Sequence, residues 1–286
     1  MKKIIFSASL FLMVCMAGFA QDNEMQASSN SDGKAILPEA GDIAIGIEAG
    51  PFLRYFGNFF NDTQDNLDPS LLFKNGQTLY GKYFLSNTMA IRASLGVSGS
   101  KNVDRRYVRN DLAFFNDPLS REQVVDRRSI VSSDYLIGLG VELRRGYNRL
   151  QGFYGAELQL GWEKTTYHYS YGNPFSDVFP SPSTYDFSGN ILSPTDRVLD
   201  YKYGSTFSTG VNAFIGVEYF ILPKLSIGGE CGLGIAYQTK GVEKYNYEHW
   251  NGTTTEEMLQ LVSPGDRDFN AFVVNPKGGI FVMFHF

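Results

Sequence analysis

Residues 134–144 read Asp-Tyr-Leu-Ile-Gly-Leu-Gly-Val-Glu-Leu-Arg. The odd positions Tyr135, Ile137, Leu139, Val141 and Leu143 are apolar, while Asp134, Gly138, Gly140, Glu142 and Arg144 occupy even ones. Side chains of a strand alternate between two faces, so this stretch is a strand with one apolar face and one face of glycines and charges. The polar face of a soluble sandwich meets water and favours Lys, Thr and Glu without so many glycines. Glycines mixed with both charge signs suit a crowded interior, where small residues make room and opposite charges neutralise one another. The apolar face is then the outside, and its solvent is lipid.

Seven further segments repeat the pattern, starting near Ile43, Leu79, Met89, Tyr154, Phe207, Leu225 and Phe272. The eight segments hold thirteen charged residues, and only Lys164 lies on the apolar face. Arg54, Asp134 and Glu163 join the small-residue face, as do Glu48, Lys82, Arg92, Glu142, Arg144, Glu157, Glu218, Glu230 and Lys277, and these last nine form the expected lumen charge network. Residue counts from the turns put Glu230, Lys277 and Glu48 at mid-height as one group, with Lys277 the expected partner of Glu230. Arg92, Glu142 and Glu157 make a second. Buried charges left unpaired are costly, so mutual neutralisation is their first role.

Connections sort by length. Short turns are expected at 86–88, 145–149 and 220–224, and long loops at 57–76, 99–129, 168–202 and 239–268. Strict alternation of short turns and long loops is the asymmetry of an outer-membrane barrel. The fold class read from these patterns is all-β: an eight-stranded antiparallel up-and-down transmembrane β-barrel. Tyr55, Tyr83, Tyr135, Tyr154, Trp162, Tyr203, Tyr219, Tyr237 and Phe272 fall toward segment ends and suit aromatic girdles at the two interfaces.

Residues 1–20 read as a secretory signal: Lys2 and Lys3, an apolar run from Ile4, then Gly18 and Ala20 before Gln21. Val14 before Cys15 argues against a lipid-anchor cysteine. Residues 21–41 read as a flexible leader and 42–286 as the barrel domain. Loss of Lys2 and Lys3 takes the formal charge from −5 to about −7, which argues against nucleic acid as a partner. Cys231 is then the one cysteine left, and no disulfide framework exists.

The last residues, Asn275-Pro-Lys-Gly-Gly-Ile-Phe-Val-Met-Phe-His-Phe286, resemble the terminal strand of bacterial outer-membrane barrels. Lys277, Gly279, Val282, Phe284 and Phe286 match the spacing of the signal that the barrel-assembly machinery is thought to read. Over residues 42–286 the chain resembles the porin-family outer-membrane β-barrel domain, in the shape class of OmpA and OmpX. The resemblance implies a location and a shape rather than an activity. Pro276 departs from it by removing a ladder donor, so Asn275 to Gly279 reads either as strand or as turn.

An eight-stranded barrel is just wide enough for its own side chains, so open diffusion through it is not expected. The leading reading is a non-enzymatic barrel without cofactor, its long loops binding an unknown extracellular ligand or stabilising the envelope. Outer-membrane lipid and lipopolysaccharide are the expected surroundings. A narrow channel and a lipid A-modifying hydrolase are the alternatives. For the second, His168 and Ser170 have the His-x-Ser spacing of lipid A deacylases and point outward. The acidic partner some twelve residues on is missing, however, because Pro182 stands there, and Tyr171 replaces the usual Asn. His249 and His285 have no partners at metal-ligand spacing. Asp62, Asp65, Asp68, Asp266 and Asp268 lack a full calcium-loop pattern and read as turn residues. Residues 99–129 carry seven Lys or Arg against five acids and suit lipopolysaccharide phosphates, whereas 239–268 carry three against six. The third loop is rich in tyrosine and phenylalanine, a composition common at recognition surfaces.

Overall fold

The computed structural model describes residues 36–48, 77–275 and 279–286. Eight strand positions close into an antiparallel hydrogen-bonded ring. The strands β1 (Ile43–Glu48), β2 (Gln77–Ser86), β3 (Met89–Arg109), β4 (Gln123–Tyr147) and β5 (Leu150–Ser170) pair in chain order. β9 (Thr206–Leu222) follows β5, and β10 (Leu225–Lys240) follows β9. The eighth position is shared by β13 (Arg267–Asn275) and β14 (Ile280–His285), both antiparallel to β10. β14 then pairs with β1 from Ala44 opposite His285 to Glu48 opposite Phe281, which closes the ring. From Asn275 to Ile280 the last strand advances five residues while β10 advances three, from Gly232 to Gly229. β13 and β14 therefore run in the same direction along β10.

Tight turns at 87–88, 148–149 and 223–224 join β2 to β3, β4 to β5 and β9 to β10. Asn148 and Lys224 adopt positive φ there. Along the ring, Ile45, Leu95, Leu139, Leu158, Ile215 and Leu233 are exposed on the outer face, and between them Ala44, Arg92, Glu142, Phe153, Glu157 and Glu218 are buried inside. Glycines set the inner clearance. A Cβ on Gly138 would collide with the Glu157 carboxylate, and one on Gly216 would collide with the Phe153 ring.

Where long loops are expected after β3, β5 and β10, the structure has strands. β3 and β4 stay paired from Met89 opposite Leu143 to Arg109 opposite Gln123, and only a short helix, α1 (Asp111–Asn116), with the turn after it caps the hairpin. Residues 98–109 thus add about 40 Å of strand at about 3.3 Å per residue. In place of the third and fourth loops stand β6 (Thr184–Tyr185), β7 (Ile191–Leu192), β8 (Asp196–Lys202), β11 (Glu243–Trp250) and β12 (Thr255–Ser263). β8 continues the line of β9 along β5, β11 continues β10, and β12 continues β13, giving a wall in the order β12-β11-β8-β5-β4-β3. The first expected loop, 57–76, lies outside the described residues.

At the opposite end Ile36 and Leu37, assigned to the leader by sequence, pack on buried Phe220 and cover the base of the ring. Backbone bonds from Gly41 N to Phe84 O (2.8 Å) and Ala40 N to the Asn87 side chain (3.1 Å) hold that segment, and Lys224 pairs with Asp42.

Candidate functional site: a charged lumen beneath a tyrosine wall

The lower lumen is filled by one connected set of ion pairs. Lys82 Nζ lies 2.8 Å from Glu142 and 3.7 Å from Glu218. Arg144 reaches Glu218 at 2.5 Å and Glu142 at 3.6 Å. Arg92 puts its two terminal nitrogens 2.5 and 2.7 Å from the Glu230 carboxylate and its Nε 3.2 Å from Glu157. Each cation also lies over aromatic rings: Lys82 on Phe153 and Phe281, Arg92 on Tyr80 and Phe214, Arg144 on Phe84 and Phe220. His285 Nε2 stands 3.1 Å from Glu218, which also accepts from Ser226. The rings replace part of the hydration that buried cations lose, and the carboxylates supply the opposing charge.

Of the nine lumen residues named from sequence, Lys82, Arg92, Glu142, Arg144, Glu157, Glu218 and Glu230 meet here. Glu230 is held by Arg92 across the lumen and so joins the second expected group. Lys277 lies outside the described residues. Glu48 is half-buried and makes no ion pair among the described residues. Of the terminal-strand positions, Phe284 and Phe286 are exposed, Val282 is half-exposed and pairs with Ile47 and Ile227, and Gly279 accepts a bond from Glu230 N.

Tyr83, Tyr135, Tyr154, Trp162, Tyr219 and Tyr237 are exposed on the outer face at the two ends of the apolar belt. Tyr203, expected among them, is turned inward. Between Glu163 opposite Thr206 and Thr166 opposite Lys202, β5 advances three residues and the β8–β9 line four. The extra residue reverses the facing of Tyr201 and Tyr203.

Above the belt this inner face is a wall of tyrosines. Tyr167, Tyr201 and Tyr245 stand side by side in register on β5, β8 and β11. The Tyr201 and Tyr245 rings stack at 5.9 Å and 5°, Tyr203 packs on Tyr167 and Tyr201 at 5.3 and 4.7 Å, and Tyr169 and Tyr171 continue upward. The Tyr201 hydroxyl donates to Glu243, which also receives Lys240 at 2.9 Å. That carboxylate pushes the Tyr201 phenol up to about 12 and raises the Lys240 ammonium, and their hydrogen bonds lower Glu243 in turn. The sequence reading missed Tyr245 and Tyr247. The period-two spacing of Tyr167, Tyr169 and Tyr171, of Tyr201 and Tyr203, and of Tyr245 and Tyr247 is the signal that marks strands there.

Buried polar residues brace the wall. Asp126 accepts from Gly172 N (2.8 Å), Thr184 Oγ1 (3.0 Å) and Tyr185 N (2.8 Å). Asn173 donates to the carbonyls of Arg109 (2.8 Å) and Ser183 (2.9 Å), and Arg197 donates to Asn173 O (2.7 Å) while pairing with Glu248 (2.7 Å). These bonds tie together the β3–β4 tip, the segment after β5, β8 and β11.

On the outer face His168 pairs through Nδ1 with Asp200 of β8, a carboxylate that the sequence motif lacks. Ser170 makes no hydrogen bond to His168. Ser129 stands opposite His168 in register, and its buried hydroxyl is unpartnered among the described residues. The relay from carboxylate to histidine to serine is therefore incomplete. His249 pairs with Asp196. Among the described residues no three His, Cys, Asp or Glu side chains converge as a metal site, and Asp62, Asp65 and Asp68 lie outside them.

A closed antiparallel ring with an apolar outside and a charged inside inverts the pattern of a soluble barrel and matches that of a strand-built membrane span. The chain is an outer-membrane β-barrel. No protein-family model and no curated protein matches it. Among solved structures it is similar to a major outer membrane protein from Thermus thermophilus, with TM-score 0.38 and 11% identity over 86% of this chain and 100% of that one. It is also similar to the outer membrane protein OprG from Pseudomonas aeruginosa, with TM-score 0.29 and 10% identity over 87% of this chain and 98% of that one.

Proposed function

We propose that this protein is a sealed, non-enzymatic barrel that holds a rigid ligand-binding wall outside the cell. The observation that carries the reading is the Arg92–Glu230 fork. It closes the lumen at mid-height, below the inner-face carboxylates of Asp134 and Glu163 and the tyrosine wall above them. Arg92, Glu157 and Glu230 line a cavity there of about 20 Å³, the space of a water molecule. The braced strands above it make a preorganised surface, which lowers the ordering cost of binding. Outer-membrane lipid is the partner of the apolar belt. The barrel-assembly machinery is the partner of the last strand, with Gly279, Val282, Phe284 and Phe286 as its reading points together with Lys277. The basic residues of 99–129 suit lipopolysaccharide phosphates.

The test is planar-bilayer recording of the purified full chain, with silence expected. Steady conductance by the unaltered protein would replace this reading with that of a narrow channel. The His168–Asp200 contact favours one second reading, an acyl-ester hydrolase acting on outer-leaflet lipid. Lipid A acylation in cells carrying His168→Ala or Ser170→Ala, compared with the wild type, separates the two, and an unchanged pattern is expected.

A further inference from the structure

Above the outer aromatic girdle, the inner face opens into a cleft of about 290 Å³ whose lining includes Glu163, Thr165, Tyr167, Tyr203, Thr206 and Lys240. We propose that this cleft, with the tyrosine row above it, binds a neutral oligosaccharide. The inference rests on the reading of the wall as a ligand-binding surface and names the class of ligand.

Three features carry it. The first is shape. The cleft floor is two rings in edge contact at 5.3 Å, and the next row extends it over three neighbouring strands. A pyranose ring has a flat C–H face that lies on an aromatic ring and an edge of hydroxyls that needs hydrogen bonds, and half-exposed tyrosines beside polar groups offer both. A row of rings on neighbouring strands, with Tyr201 and Tyr245 5.9 Å apart, suits a chain of sugar rings better than a single small molecule. The second is rigidity. Tyr201 is held by Glu243, Tyr245 donates to Gln260 at 2.6 Å, and the strands beneath them are continuous with the barrel. Few rotamers remain to be frozen on binding. The third is charge. Glu163 stands in register with Asp134 on the inner face, and both carboxylates are exposed. The one ammonium of the cleft, Lys240, is already committed to Glu243. Two carboxylates with no free cation beside them among the described residues repel acidic sugars and accept hydrogen bonds from sugar hydroxyls, while Thr165 and Thr206 add hydroxyls of their own.

The experiment is calorimetric titration of the full chain in a detergent without a sugar headgroup. Neutral hexasaccharides of gluco, manno and galacto configuration are compared with oligogalacturonate of equal length, and with delipidated polysaccharide from the producing strain. At least one neutral hexasaccharide is expected to bind, with affinity at least tenfold above that of oligogalacturonate. Tyr167→Ala and Tyr203→Ala are expected to weaken it at least tenfold while keeping heat-modifiable gel migration, and Tyr203→Phe to retain most of it. Saturation by the strain's own polysaccharide identifies an envelope source; binding of hexasaccharides alone identifies an external one. Failure of every neutral probe, equal binding of oligogalacturonate, or indifference to both alanine variants overturns the inference. A protein that conducts in bilayers and still binds a neutral glycan refutes the sealed-lumen reading and leaves this site standing. A silent protein that binds no glycan does the reverse.

Discussion

Arg92 of β3 closes on Glu230 of β10 with both terminal nitrogens, a bidentate pair between residues 138 positions apart that crosses the lumen. Its side chains are 4% and 10% exposed, so the pair is held out of water. Glu230→Gln leaves Arg92 short of its best partner and is expected to cost about 3 kcal/mol, the lower end of the range for breaking a buried pair, because Glu157 remains at hand. Arg92→Met with Glu230→Gln should recover part of that loss. Urea unfolding midpoints of refolded protein in detergent micelles decide it, and a double variant that loses the sum of the two single losses means the residues are not coupled.

Leu233 lies three positions from Glu230 on the same strand, 53% exposed on the lipid side. Leu233→Arg is expected to cost about 2 to 4 kcal/mol if it lies near the bilayer midplane, and to lower the yield of heat-modifiable barrel in refolding assays. Wild-type refolding of this variant would place Leu233 away from lipid.

Replacing both seal residues should open the lumen. Arg92→Ala with Glu230→Ala is expected to convert a silent protein into one with discrete conductance steps in planar bilayers, where either single variant stays quieter. Silence of the double variant would locate the barrier lower, at Lys82, Glu142, Arg144 and Glu218.

The Lys240–Glu243–Tyr201 cluster has a definite pH window. Tyr201 ionises near 12 in the folded chain against an ordinary 10.0, so its contribution is whole below about 10 and is lost as pH rises toward 12. Glu243 titrates below its ordinary 4.5, so its contribution is present above that value and is lost on acidification. Burial also raises the phenols of Tyr169, Tyr171 and Tyr203, so tyrosinate absorbance during alkaline titration should show several late phenols, of which Tyr201→Phe removes one. An unchanged titration curve in that variant contradicts the assignment.

Because the expected loops are braced strands, a broad-specificity protease added to intact cells should spare 98–109 and cut at the exposed turns 186–190 or 251–254. Asp126→Ala strands three donors, at about 1 to 3 kcal/mol for each left unpaired, and should make 171–185 cleavable as well. Equal resistance of the variant means Asp126 does not hold that segment.

Alternation, together with what the two faces hold and how the connections sort by length, determined the barrel. Ile137, Leu139 and Val141 against Gly138, Gly140 and Glu142 state which face meets lipid, because burial in hydrocarbon and burial in a crowded lumen select different residues at period two. The turns at 87–88, 148–149 and 223–224 were legible for the same reason, since the pattern stops and restarts around them. Above the membrane the two faces of the wall no longer differ in polarity, so the strands carrying Arg106, Tyr169 and Tyr247 read as loops although hydrogen bonding continues through them. The contact of Glu230 with Arg92 was beyond the sequence, because strand tilt and ring closure decide which inner side chains meet across the lumen. The facing of Tyr203 was beyond it too. One extra residue between Lys202 and Thr206 reverses its parity, and only pairing with β5 shows where the extra residue lies. Local patterning selects a face, but the hydrogen-bond register of distant strands selects the neighbours on that face.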